Sequence, residues 1–175
     1  LLETVLSGGP ELLQAGAVDL LVGGSLPQGF LGDPIMTAQF IAVAHPDHAL
    51  HQLDRSLTLA DLAMHRQIVV RDSGLGHKAD SGWLGAEQRW TVSHVATSVD
   101  MVCRGMGFAW LPASRVTPLI ARGDLGELPL DKGARRSQVL YLAYAERDRA
   151  GPATCRLATL LQEASRAYPS TGTTG

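Results

Sequence analysis

Apolar positions recur along this chain with two periods, about two and between three and four, and the change of period marks its elements. The clearest case runs from Trp90 to Pro112. Thr91, Val92 and Val95 suit a strand. Thr97-Ser98-Val99-Asp100 matches a capping box that opens a helix. Val99, Val102 and Met106 recur at spacings of three and four, which gives that helix one apolar face. Gly105 and Gly107 stop it. Phe108 to Leu111 form a short buried strand closed by Pro112. The product is a strand–helix–strand unit whose first turn is rich in small polar side chains and backbone N–H groups.

The same reading extends to both sides. Leu2 to Leu6 reads as a strand. Ser7-Gly8-Gly9-Pro10 reads as a turn with Pro10 at the first helical position. Glu11 to Ala15 is a short helix and Val18 to Val22 a buried strand, an order that implies a parallel pair. Residues 25–34 are loop. Ile35 to Ala44 is a long strand, broken at His45-Pro46-Asp47-His48. Thr58-Leu59-Ala60-Asp61 is a second capping box, opening a helix through Met64. Gln67 to Arg71 is a buried strand that ends in the flexible loop Asp72-Ser73-Gly74-Leu75-Gly76. Residues 77–89 are polar and unpatterned. Pro112 to Arg122 reads as a helix interrupted near Pro118. Glu127 to Leu130 and Gln138 to Ala145 are strands. A last helix runs from Gly151-Pro152 to about Arg166, with Leu157, Leu160, Leu161 and Ala164 on one face. Residues 169–175 form a disordered tail.

Alternating strands and helices predict an α/β fold with mixed sheets. The strands near 35–44 and 138–145 have no neighbouring strand–helix partner of their own and are expected to cross between two lobes. Lobe I then comprises 1–38 and 143–168, lobe II 39–142, and a ligand would lie in the cleft between them.

Composition narrows the function. With 175 residues, 45% of them hydrophobic, the chain buries a core. Its formal charge of −2 carries no electrostatic footprint for nucleic acid. No run of 18 apolar residues spans a membrane, and no basic-then-apolar leader precedes the first strand. Cys103 and Cys155 lie on helices without a C-x-x-C spacing, so they are expected as buried, reduced thiols.

Candidate chemistry concentrates at strand ends. Thr97 and Ser98 combine hydroxyls with helix N–H groups, a set that suits a carboxylate; capping alone would also account for them. Ser73 and Gly74 end a strand at an equivalent edge, where a simple Gly turn is the other reading. His94 ends the strand before Thr97, where an imidazole could hydrogen-bond a ligand; a satisfied edge residue is the other reading. Phe108 would pack against a bound molecule or fill the core. Ile41 and Thr37 are weaker candidates. His45, His48 and His51 spell H-x-x-H-x-x-H, but in a Pro-containing loop with no Cys nearby, so no metal is expected. Gly74 to Lys78 is not a P-loop, and no nucleophile elbow is present. No catalytic constellation and no cofactor motif emerge.

Five motifs in order resemble the effector-binding domain of LysR-type transcriptional regulators. Glu11-Leu12-Leu13 with Val18-Asp19-Leu20-Leu21-Val22 is similar to the family's "ELL…G..DLAI" signature. His45-Pro46-Asp47-His48-Ala49-Leu50 is similar to its "HPLA" turn, and Leu57 to Leu62 to its "LTLADLA" helix. Gly105 to Pro112 is similar to its "GLGIALLP" element, and Gly123-Asp124-Leu125 to its "G.L" step. The resemblance spans Leu1 to about Arg166. It implies two Rossmann-like lobes of the periplasmic-binding-protein type II kind, and a small effector, an organic acid or an aromatic compound, between them. It also implies a cytoplasmic homodimer or tetramer that binds promoter DNA through an N-terminal helix-turn-helix domain, with no enzymatic turnover. On this resemblance the chain enters the domain after its first strand and first long helix, about 20–25 residues. The polar residues opening the central helix would face the effector. Two other readings share the architecture. One is a transporter's solute-binding protein; the other is an enzyme, for which only Ser73, His94 and Asp100 offer chemistry.

Overall fold

A computed structural model of the chain describes residues 1–74 and 83–167. Residues 75–82 and 168–175, which hold the second half of the loop expected after Arg71 and the expected C-terminal tail, lie outside the described residues. Five helices and seven strands form among the described residues. The helices are α1 (Gly8–Gln14), α2 (Leu59–Ala63), α3 (Val95–Cys103), α4 (Ala113–Arg122) and α5 (Pro152–Ala167). The strands are β1 (Leu20–Gly23), β2 (Gly32–Ala44), β3 (Gln67–Val70), β4 (Arg89–Val92), β5 (Phe108–Pro112), β6 (Gly126–Glu127) and β7 (Arg135–Tyr144). The α/β class expected from the alternation is the one observed.

The chain divides into two units. Unit 1 holds residues 1–38, 72–74 and 138–167, and unit 2 holds 39–71 and 83–137. The chain leaves unit 1 within β2 after Ala38 and returns within β7 after Ser137.

In unit 1, β1 pairs antiparallel with β7, Leu21 opposite Ala143. The expected parallel pair does not form, because Leu2 to Leu6 is not a strand. A strand needs a neighbour for its backbone groups. Val5 instead spends its backbone on Ser73: its N–H donates to Ser73 Oγ (2.7 Å), and its carbonyl accepts from the Ser73 hydroxyl (3.0 Å) and the Ser73 N–H (3.1 Å). α1 starts at Gly8, so Pro10 is its third residue rather than its first. Leu13, Leu21 and Ala143 form the core of this unit, with Val18, Leu26 and Phe30 packed against them.

α5 turns differently from its leucine pattern. Ala158 is buried and Leu161 half-buried, whereas Leu157 and Leu160 are 49% and 44% exposed. Thr154, Ala158, Leu161 and Ser165 make an alternative face at the same helical spacing, with smaller side chains that permit close approach. This rotation leaves Cys155 exposed, and Cys103 is half-buried, so neither thiol is the buried one expected; both are free.

In unit 2, β2 pairs antiparallel with β5 and β6, while β5, β3 and β4 run parallel with β3 in the middle. Two clusters fill this unit. One gathers Ile41, Val43, Ile68, Val102, Leu111, Val116 and Leu125. The other gathers Ala42, Ala44, Leu50, Leu57, Leu62, Phe108 and Leu128. Pro118 does not interrupt α4. Pro118 is the sixth of its ten residues and removes one interior N–H, and Val116, fully buried, anchors the helix to the core.

Candidate functional site

α3 opens earlier than the capping motif suggests. His94 is the N-cap, extended at φ −134° and ψ 144°, and Val95 is already helical. Thr97 and Ser98 therefore lie inside the first turn, and no capping box forms at Thr97. The reason is burial. Val95, Ser98, Val99 and Val102 follow helical spacing, and starting at Val95 adds one more β-branched side chain to the core that Val99 and Val102 already join. Val95, part of the expected strand, becomes the first helical residue. The helix stops as the glycines suggest: Gly105 is left-handed (φ 71°), the Gly105 N–H reaches the Val102 carbonyl, and the Met106 N–H reaches that of Met101. Met106 falls beyond the helix and off its apolar face.

This geometry gives α3 an open N-terminus at the carboxyl end of β4. The first backbone bond of the helix runs from the Ser98 N–H to the His94 carbonyl (3.2 Å). The N–H groups of Val95, Ala96 and Thr97 thus have no acceptor within the helix. His94 makes no side-chain cap, and both His94 and Thr97 are exposed. Ser98 is wholly buried, and its hydroxyl has no hydrogen-bond partner among the described residues. The helix dipole adds partial positive charge here. Backbone donors and the exposed residues His94 and Thr97 thus belong to the same first turn.

The other expected residues are occupied. Ser73 both donates to and accepts from Val5, as above. Asp72, 8% exposed, collects the Ser7 hydroxyl (2.8 Å), the Ser7 N–H (3.0 Å) and the Gly74 N–H (2.9 Å). A side chain on Gly74 would overlap Ser7, and one on Gly8 would overlap Ser73. Residues 72–74 thus dock the start of α1 within unit 1. No sequence spacing signals that contact, because more than sixty residues separate the partners. Phe108 is fully buried in the second core cluster of unit 2, edge-on to Trp110 and near Trp83. Ile41 is buried in the other cluster, and Thr37 lies on the half of β2 that belongs to unit 1.

Among the described residues no group of three or more His, Cys, Asp or Glu side chains is arranged to hold a metal ion. None of the helices is long and apolar enough to cross a membrane. Unit 1 carries an open concavity of about 540 Å³ lined by Phe30, Leu142, Tyr144 and Arg147, which takes in none of the residues singled out from the sequence.

The fold is mixed α/β with a parallel β5–β3–β4 core, an arrangement of the periplasmic-binding-protein type II kind. The model of the LysR substrate binding domain matches residues 2–166. The chain therefore belongs to that family, the effector-binding part of LysR-type regulators, and the transporter reading falls away. Solved structures agree on the fold. The C-terminal domains of a LysR family protein from Agrobacterium tumefaciens superpose with a TM-score of 0.69 at 20% identity, over 91% of this chain and 78% of that one. LysG from Corynebacterium glutamicum with bound effector Arg gives 0.67 at 20%, over 90% of this chain and 53% of that one. The CcmR regulatory domain from Synechocystis PCC6803 in complex with 2-PG gives 0.67 at 14%, over 93% and 82%. The chain spans about half the length of full-length LysG. No curated protein matches it in sequence.

Proposed function

We propose that this chain is the effector-sensing domain of a LysR-type, DNA-binding transcriptional regulator, and that its effector places a carboxylate or similar anion at the N-terminus of α3. The observation that carries the reading is the open first turn: three N–H groups without an acceptor in the helix, the exposed residues Thr97 and His94, and a buried Ser98 hydroxyl without a partner among the described residues. Anions are favoured at such a terminus by directed donors and by the dipole together. LysG, a relative in fold, takes Arg as its effector, a molecule with a carboxylate. Ser73, Gly74 and Phe108 are assigned structural roles, since their groups are already engaged.

The domain works by binding rather than by turnover. Its effector binds one arrangement of the protein better than another, and the difference in affinity sets how far the population shifts. The whole regulator is a cytoplasmic homodimer or tetramer that meets promoter DNA through an N-terminal helix-turn-helix domain.

The test uses the full-length regulator and a panel of amino acids and organic acids. Binding is followed by thermal shift and then by calorimetry, in wild type and in Thr97→Val. A hydrogen bond to a charged group contributes about 1.5–3 kcal/mol, so the variant should bind its carboxylate effector at least about tenfold more weakly. Equal affinity in both proteins would move the site away from α3.

A further inference from the structure

Four of the six histidines gather in unit 2, around the short turn of 3-10 helix Ala49–Gln52 that follows β2. His45, His48 and His51 lie on or beside the turn, and His65 follows α2. The His48 and His65 rings face each other with centroids 5.2 Å apart. Two of the rings serve as hydrogen-bond acceptors. The Leu50 N–H donates to His48 Nδ1 (3.2 Å) and the Asp47 N–H donates to His45 Nδ1 (3.2 Å). Backbone bonds from His48 to the His45 carbonyl (2.9 Å) and from His51 to the His48 carbonyl (2.8 Å) complete the turn. What the turn holds in place is Leu50, fully buried among Ala42, Ala44, Leu57, Leu62, Phe108 and Leu128.

We propose that this histidine cluster is a proton-sensitive latch: neutral rings hold the turn closed and Leu50 in the core, and protonation of His48 releases it. The chemistry is direct. An imidazole accepts through a nitrogen only while that nitrogen is unprotonated. A proton on His48 Nδ1 would point at the Leu50 N–H and remove the cap of the turn. It would also set a charge beside the His65 ring.

The surroundings offer little relief. The groups acting on His48 are the other histidines, His65 from the end of α2 and His51 and His45 from its own turn. β6 contributes Glu127, whose carboxylate is clasped by Arg135 at 2.8 and 2.7 Å. Asp47 lies 3.7 Å from His45 Nδ1 and is 91% exposed. Among the described residues no carboxylate pairs with His48, His51 or His65. Burial, followed by the His65, His51 and His45 rings, pushes His48 down to about 4. Burial also lowers His51, against the pull of the Ala44 and Gly126 backbone. An unfolded chain protonates His48 near 6.5. The latch is therefore fully closed above pH 6.5, loosens as the pH falls below that value, and reaches its full penalty near pH 4. A shift of this size corresponds to a bias against the proton of up to about 300-fold. Solvent at the exposed half of the ring reduces it.

The test is a ring titration of the wild-type protein by NMR, with amide hydrogen exchange at pH 7 and pH 5. His48 should resist protonation to well below pH 6, and the protection factors of Leu50 and His51 should fall at pH 5 by about tenfold or more. In His48→Asn the side chain still caps the Leu50 N–H but cannot take the proton, so protection there should be independent of pH. A His48 that titrates near 6.5, or protection at Leu50 that is equal at both pH values in wild type, would overturn the latch. The ring titration needs no variant, so the proposal stays testable should His48→Asn fail to fold. The result is independent of the effector reading, because the latch lies on a different turn from α3.

Discussion

Replacing Ser98 by alanine should stabilise this protein, which is the opposite of what most substitutions at buried positions do. Ser98 is fully buried on the inward stripe of α3, between Val95, Val99 and Val102, and its hydroxyl has no partner among the described residues. A buried polar group without a hydrogen bond costs about 1–3 kcal/mol. Alanine removes that cost and adds a few tenths of a kcal/mol of helix propensity. The oxygen leaves a space smaller than a methyl group, which takes back only part of the gain. The net expectation is about 1–2 kcal/mol of added stability. For a chain of 175 residues this raises Tm by roughly 2–8 °C. Urea unfolding and calorimetry of the ligand-free protein measure it directly. Destabilisation of Ser98→Ala would refute the reasoning, since it would show that the hydroxyl is satisfied in the folded state. The same variant also bears on function. A hydroxyl kept at a stability cost is expected to serve binding, so Ser98→Ala should gain stability while losing effector affinity.

Other substitutions probe the remaining structure. Phe108→Ala empties the centre of a cluster shared with Leu50, Leu57 and Leu62, and should cost about 3–5 kcal/mol in chemical denaturation. Gly107 has φ 155° and sits where a side chain would run into the Arg66 carbonyl, so Gly107→Ala should lower Tm by several degrees, with no gain from its reduced backbone entropy. Thr58 and Asp61 form a reciprocal capping box, in which Thr58 Oγ1 accepts the Asp61 N–H and Asp61 Oδ2 accepts the Thr58 N–H; Thr58→Ala should cost about 1 kcal/mol of stability. Ser73→Ala breaks the tie to Val5 and should raise proteolytic cleavage of residues 1–7 while leaving effector affinity within a factor of two; a large loss of affinity would return Ser73 to the site.

Much of this fold was legible because its information is local. The capping box at Thr58, the left-handed stop at Gly105 and the apolar run of β5 each depend on residues within one turn or one strand, and all stand where the pattern puts them. Family motifs in sequential order carried the class of the domain, and the match over residues 2–166 agrees with them. The misread elements share one cause. Leu2 to Leu6 has the composition of a strand but no strand beside it. α5 has two helical faces of similar spacing, and packing selected the one with the smaller side chains. Thr97 satisfies a capping motif, yet Val95 gains more from burial by joining the helix than Thr97 would from capping it.

The candidate site divides along the same line. The sequence by itself determined which residue types crowd the turn after β4 and that helix N–H groups open there, because both follow from a strand ending and a helix beginning. Only the tertiary structure decided which of those groups are spent. It buried Ser98 without a partner and left Thr97 and His94 exposed. It bound Ser73 to Val5 and sent Phe108 into the core. It also set His48 against His65 from another element. Each of these outcomes follows from which elements pack against one another, and that packing joins residues far apart in the chain, which no local pattern encodes.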